Sequence, residues 1–294
     1  MGVPARGLGI LGGRAVHARG GLGRACARWL LVPLEHNRTE ASGEARGKRL
    51  VSEKSEKEKQ GSENTRTKIV KCAIIMPMKQ ELTLSLLQEE AKKFSKIESN
   101  HDEASIFGST DGKAVGTYLE HKFKDFLGKK YIFDSGNSAS GIDLPTLEVD
   151  IKTTSVIQPQ SSCPFKSARQ KIFGLGYNLL VFVYKKEDSQ QSKTSRLHIL
   201  HTIFVNKDRT ADFQLTTSIH KILENNANKD DIIALFQDKN LPVDDITAEN
   251  LAEEVLQNKP NIGYLTISNA LQWRLQYGRI IEEAGTVSGI NRLV

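Results

Sequence analysis

Cysteine is nearly missing from this chain of 294 residues. The three present, Cys26, Cys72 and Cys163, are widely spaced and have no Cys or His partners at zinc-binding intervals. That excludes a disulfide framework and a structural zinc site. It points to a reducing, cytoplasmic setting in which Cys163 has a partly buried structural role. Long apolar runs are lacking too, and Trp29 to Val32 is far too short to span a bilayer. The third absence is local: residues 1–34 contain no Asp or Glu but many glycines and several arginines. Residues 35–68 follow as a polar, charge-mixed run rich in Glu, Lys and Ser, and neither stretch can bury a core.

Residues 1–75 are therefore expected to be a disordered extension and residues 76–294 the folded domain. The extension has three readings. It could be an upstream run from a mis-assigned start, with Met76 or Met78 opening the functional protein, or an arginine-rich organellar transit segment, or a basic DNA-binding arm. It also carries the basic charge. Residues 1–75 hold 15 Lys+Arg against 7 Asp+Glu, whereas residues 76–294 hold 26 against 28. The net charge of +6 thus says nothing about nucleic-acid binding by the folded part, which needs a local basic cleft instead.

What the folded part does contain is a dense chemical motif between Ser140 and Thr154. From Leu147 to Lys152 apolar and polar residues alternate as in a half-buried strand, which turns Leu147, Val149 and Ile151 to the core. Glu148, Asp150 and Lys152 would share the opposite face. Asp143 precedes them, separated by Leu144 and Pro145, and the proline favours a bend that swings this carboxylate back toward Asp150. Two converging carboxylates suit a hard, oxygen-preferring cation such as Mg²⁺. Such an ion lowers the pKa of bound water and neutralises charge on the attacking and leaving oxygens of a phosphodiester. Lys152 would orient the attacking water and contact the scissile phosphate. Glu148 is open to two uses, as a further ligand or in a rim salt bridge.

Asp143, six residues, then Asp150-x-Lys152 resembles the PD-(D/E)xK nuclease superfamily. The surroundings from Gly112 to Lys186 are most similar to type II restriction endonucleases and the related mismatch-repair nicking enzymes. Ile142 stands where the name-giving proline would be, and the second acid is Asp rather than Glu. The resemblance implies a helix bearing a metal-assisting glutamate before the motif, met here by Lys113 to Leu127 with Glu120. It also implies a helix and a core strand after it, met by Cys163 to Ile172 and Tyr177 to Tyr184. The implied function is Mg²⁺-dependent cleavage of double-stranded DNA by a homodimer, with a cognate DNA methyltransferase as functional partner. A repair or junction nuclease of the same superfamily and a non-catalytic DNA-binding regulator are the alternatives.

The expected architecture is α/β, a restriction-endonuclease-like mixed central sheet flanked by helices, with a helical C-terminal portion over residues 229–294. Leu82 to Ile97 reads as a helix, Asn100 to Asp111 as a polar connector and Arg196 to Val205 as a strand. On that strand His198 and His201 have opposite parity and so cannot easily share a metal, and packing or hydrogen-bonding roles are expected of them. Asp230 to Phe236 and Ala248 to Leu256 read as helices, the second capped by Thr247. Ser268 to Ala284 reads as a longer helix capped by Ser268, stopped by Gly285 and burying Leu271, Leu275 and Ile281. It would display Gln272, Arg274, Gln276 and Arg279, types that read base edges in the major groove. Lys166, Arg169 and Lys171 are the expected phosphate contacts, and Gln158 and Gln160 flank Pro159 within reach of a groove.

Overall fold

In the computed structural model the described residues are 79–136, 141–162, 166–268 and 273–294. All lie in the second of two units, which meet between Lys71 and Cys72. Readings made for residues 1–78, and for Ser140, Cys163, Leu271 and Gln272, fall outside the described residues.

Two helices open the described chain, each started by a side chain that satisfies an orphan backbone N–H. After the two-residue strand β1 (Gln80–Glu81), Thr83 caps α1 (Leu84–Glu98) by accepting from Leu86 N. The expected connector holds β2 (Asp102–Glu103), and Asp111 caps α2 (Gly112–Gly128). β3 (Tyr131–Ile132) pairs in parallel with β1. The central strands follow as β4 (Val149–Ser155), β5 (Gln160–Ser162), β6 (Asn178–Ser189) and β7 (Thr194–Val205), with the short helix α3 (Arg169–Phe173) between β5 and β6.

β6 explains how the layers form. Its run from Asn178 to Tyr184 is buried without interruption, the mark of a strand covered on both faces. Leu180, Phe182 and Tyr184 join Val149 and Ile151 of β4 in a core under α1 and α2. Leu179, Val181 and Val183 face a second core containing Ile267, Leu275, Tyr277 and Ile280. β4 lies parallel to β6, and β6 lies antiparallel to β7. β10 (Ile290–Arg292) and β2 also pair with β7, which leaves β4 as an edge strand. The result is a mixed sheet flanked by helices, as expected.

α4 (Phe213–Glu224), α5 (Lys229–Asp238) and α6 (Asp245–Gln257) form a third cluster around Ile219, Phe236 and Leu251. Asp244, rather than Thr247, caps α6. α4 was not expected, although Asp212 at its cap and Leu215, Ile219 and Ile222 at helical spacing mark it. The helix expected from Cys163 to Ile172 is confined to α3 among the described residues.

The long helix expected from Ser268 to Ala284 does not form. β8 (Thr266–Ser268) and β9 (Arg274–Gln276) stand there, followed by α7 (Gly278–Glu283). The residues 229–294 are therefore helical only in part. Leu275 fits a helical stripe, but it also begins the alternation Leu275, Gln276, Tyr277 in which both apolar residues are fully buried. Pairing of β9 with both β5 and β8 settles the choice, since ladder partners far away in sequence override local propensity.

β7 overturns a second reading. Leu200 is skipped in the register, so His201 opposes Val183 and Ile199 opposes Tyr184. This bulge brings His198 and His201 to the same face of the sheet. His198 contacts Glu187, and burial holds the His201 pKa down.

Helix and sheet are locked together by Phe94, Phe123 and Phe182, whose ring centroids lie 5.0 to 5.9 Å apart. Phe123→Ala would empty the contact that holds α2 on the sheet. The expected cost is about 3–5 kcal/mol in a denaturant titration.

Candidate active site

Asp143 and Asp150 meet through a tight local device. Leu144 and Val149 exchange backbone hydrogen bonds of 2.9 and 3.1 Å around a 3-10 turn at Pro145–Leu147, with Pro145 in its first turn. Glu148 closes the turn in the left-handed region at φ 51°. The strand accordingly starts at Val149, and Leu147 belongs to the turn. This bridge makes Asp143 and Asp150 cross-strand neighbours, the convergence expected from the proline. β4 is an edge strand, so the outward N–H of Ile151 is free to donate to Asp143 Oδ2 at 2.7 Å. Glu148 turns away and pairs with Lys207 at 2.9 Å, the rim use of the two foreseen for it.

α2 brings the remaining groups. It crosses β4 closely at Gly116, where a Cβ would lie 3.9 Å from Thr153, and Glu120 sits one turn further on. Lys124 Nζ lies 2.8 Å from Glu120 Oε1 and 2.7 Å from Asp143 Oδ1. The sequence reading missed Lys124, although its position four residues after Glu120 signals the pair.

Burial governs the charge state of the cluster. Asp150 is 3% exposed. Desolvation pushes its pKa up to about 7, helped by the neighbouring Asp143 and opposed by Lys152. Lys152 Nζ stands 2.7 Å from Asp150 Oδ2. The angles at this contact are poor, so Oδ2 keeps a charge neighbour without a hydrogen-bond donor. Asp143 is also raised by burial, but hydrogen bonds with Asp150, Glu120, Lys124 and the Ile151 N–H outweigh this and hold it at about 2. Burial and the nearness of Asp143 raise Glu120. Burial would lower Lys124, yet its bonds to Asp143 and Glu120 raise it.

Among the described residues no group of three or more His, Cys, Asp or Glu is arranged to hold a metal ion. Lys124 binds the Glu120 and Asp143 carboxylates to itself. The two-carboxylate set of Asp143 and Asp150 nevertheless fits a hard cation that takes its other oxygens from water and phosphate. The buried Oδ2 of Asp150, whose contact with the Lys152 ammonium falls short of hydrogen-bond geometry, is the atom such an ion would satisfy.

A cleft of about 900 Å³ opens over this cluster, lined by Lys113, Glu120, Lys152, Gln160, Lys186 and Arg274 among others. Lys152 and Lys186 are paired with Asp150 and Asp188, whereas among the described residues no ion pair holds Lys113 or Arg274, and these two give the cleft its positive charge. A smaller hollow of about 320 Å³ at the β6–β7 turn is lined by Glu187, Asp188 and Arg196. Those charges are already paired within the protein.

The five expected DNA contacts are scattered. Arg274 lines the cleft, on β9 rather than on a recognition helix. Lys166 is exposed. Arg169 is tied to Glu254 of α6 by hydrogen bonds of 3.0 Å from Nε and lies over the Phe173 ring. Lys171 is 7% exposed and burial lowers its pKa, so it cannot meet a phosphate in this conformation. Arg279 stacks 3.6 Å from the centroid of Phe213 with its Nε buried. The helical segment expected to carry Arg169 and Lys171 instead packs into the α-helical cluster, which consumes both side chains.

Comparison with known proteins identifies the family. The family described as type II restriction enzyme NspV matches residues 81–292. The chain is 62% identical over 209 residues to the type II restriction enzyme NspV of Nostoc sp. (strain ATCC 29411 / PCC 7524), covering 71% of this chain and 95% of that protein. No solved structure gives a significant match. A family match over most of the described chain and a relative this similar make the conclusion plain: the chain belongs to the type II restriction enzyme NspV family, endodeoxyribonucleases that hydrolyse DNA phosphodiester bonds.

Proposed function

We propose that this restriction endonuclease is Mg²⁺-dependent and uses a PD-(D/E)xK-type site in which Asp143 and Asp150 hold the ion. The observation that carries the reading is the meeting of Asp143 with Asp150 and Lys152 of the edge strand β4, beneath a cleft with cations in its lining. When bound, the ion supplies Lewis-acid activation of water and neutralises charge on the departing oxygen. Lys152, 18% exposed at its side chain, orients the attacking water and meets the scissile phosphate. Glu120 supports the metal-binding carboxylates through the Lys124 bridge to Asp143. Lys113 steers and seats the sugar-phosphate backbone, and Lys186 joins it only by giving up its pair with Asp188. The ammonium of Lys152 also offsets the negative charge that gathers on the phosphorus oxygens as the water oxygen adds and the bond to the leaving oxygen breaks.

Double-stranded DNA is the proposed substrate and a homodimer the proposed working form, with one site on each strand. A cognate DNA methyltransferase would shield the host's own recognition sites in a cytoplasmic setting. Residues 76–294 are proposed to carry the nuclease, with 1–75 dispensable. The chain from Met78 onward, incubated with mixed-sequence duplex DNA, should yield discrete fragments with Mg²⁺ and none with EDTA. Diffuse degradation, or cutting confined to branched or mismatched duplexes, would favour the repair-nuclease alternative. Sedimentation of the same preparation at micromolar concentration should give twice the monomer mass.

A further inference from the structure

The three-stranded sheet β5-β9-β8 lies beside the catalytic cleft, and its register sorts its side chains into two faces. Ser161, Leu275 and Ile267 are aligned across the strands, and the two apolar members are buried in the second core. The rows on either side must point the opposite way. One row is Gln160, Gln276 and Thr266, and the other is Ser162, Arg274 and Ser268. This outward face contains hydrogen-bonding groups throughout, one positive charge and no carboxylate. Gln160, Ser162 and Arg274 line the same cleft as Lys152 and Glu120.

Arg274 differs from the other described arginines. Arg169, Arg196, Arg209 and Arg292 are held by hydrogen bonds within the protein, and Arg279 stacks on Phe213. Among the described residues no hydrogen bond or ion pair holds the Arg274 guanidinium. A two-donor fork facing a cleft without a partner suits an external ligand with two acceptors side by side. The major-groove edge of guanine presents such a pair, and the amide of Gln matches the donor and acceptor of adenine.

We propose that this sheet reads the bases of the recognition sequence, with Arg274 as the principal reader and Gln160 and Gln276 beside it. The proposal rests on the restriction-endonuclease reading and identifies where its specificity resides. Anchoring supports it, because a reader must be fixed relative to the cut. Thr154, two residues beyond Lys152, accepts from Gln160 N at 2.9 Å and thereby ties β5 to the catalytic strand. Tyr277 N donates to Pro159 O at 2.8 Å, and Ile267 N donates to the buried Asp212 at 2.8 Å. Base contacts made here would therefore keep a set distance from the scissile phosphate.

The test uses the full chain and random-sequence duplex DNA with Mg²⁺, reading the sequence at every cut end by sequencing. Cut ends from the unsubstituted enzyme should share one fixed sequence. Arg274→Ala should lose discrimination at one base pair of each half-site by about 10- to 100-fold, with the other positions retained. Arg274→Lys should not restore it, because a single ammonium lacks the fork. Unchanged thermal melting of both variants would exclude a folding defect. Should Arg274→Ala cut too slowly to read, competition binding with Ca²⁺ in place of Mg²⁺ gives the same answer, using the cognate duplex against single-base-pair variants. Slower cutting or weaker binding at an unaltered sequence would make Arg274 a phosphate contact and overturn the proposal. If the unsubstituted enzyme cuts without sequence preference, the restriction reading itself fails, a result separable because it needs no variant.

Discussion

Asp150→Ala is expected to lower Mg²⁺-dependent cleavage by at least about 10³-fold, with folding and most DNA binding retained. Removing a single electrostatic contributor to a transition state commonly costs about 10²–10³-fold, and losing a carboxylate that holds the ion should exceed that. Lys152→Ala is expected to lie inside that range. The two should part in their response to metal. Titration calorimetry with Mg²⁺ and a cognate duplex should show weakened ion binding for Asp150→Ala and near-native binding for Lys152→Ala, since Lys152 acts on water and phosphate. Much of the DNA binding should survive in both because the cations around the cleft, Lys113, Lys186 and Arg274, are untouched. Normal cleavage by Asp150→Ala would sink the proposed site.

Without metal, Asp150→Asn is expected to stabilise the fold at pH 8 by several degrees in thermal melting, and hardly at all near pH 4. The Asp150 carboxyl is pushed up from its ordinary range to about 7 in the folded protein, chiefly by burial. A raised acid favours folding below the unfolded pKa, and that contribution is lost as pH climbs through the folded pKa. The gain from asparagine should thus start near pH 4, grow toward pH 7 and level off above it. A shift of this size corresponds to a few kcal/mol, at about 1.4 kcal/mol per pKa unit, and each kcal/mol moves the melting temperature by about 2–4 °C in a domain of this size. Asp143 has the opposite sign. Held at about 2, it stabilises above pH 4 and its contribution disappears as pH falls through 2, outside the window that reports Asp150. Saturating Mg²⁺ should raise the melting temperature of the unsubstituted protein more than that of the variant and close the gap. A pH-independent gap would remove burial of the Asp150 charge as its cause.

These two expectations describe one compromise. A carboxylate placed on a sheet edge under a helix is costly to ionise there, yet that position suits one lobe of an ion-binding pair. Lys124 and Lys152 moderate the cost in the metal-free protein. Stability given up at this point is the usual accompaniment of a site built for function.

Local pattern alone determined several parts of this protein. The alternation Val149, Asp150, Ile151, Lys152 dictates a strand with acid and lysine on one face, because side chains two apart cannot separate. The unbroken apolar run at Leu179 to Val183 dictates a strand buried on both sides, and the stripe Val115, Leu119, Phe123 dictates the helix that carries Glu120. Other features depended on residues distant in sequence. The Lys124 bridge requires α2 to be docked beside Asp143, nineteen positions along the chain. Lys171 and Arg169 looked solvent-facing, but burial against α4–α6 and pairing with Glu254 claimed them. The bulge at Leu200 reversed the parity that separated the two histidines. Leu275 satisfies helical and strand periods alike, so local preference could not decide between them. Two ladders, one to β5 more than a hundred residues earlier, made β9 a strand and moved Arg274 from an expected recognition helix to the wall of the catalytic cleft.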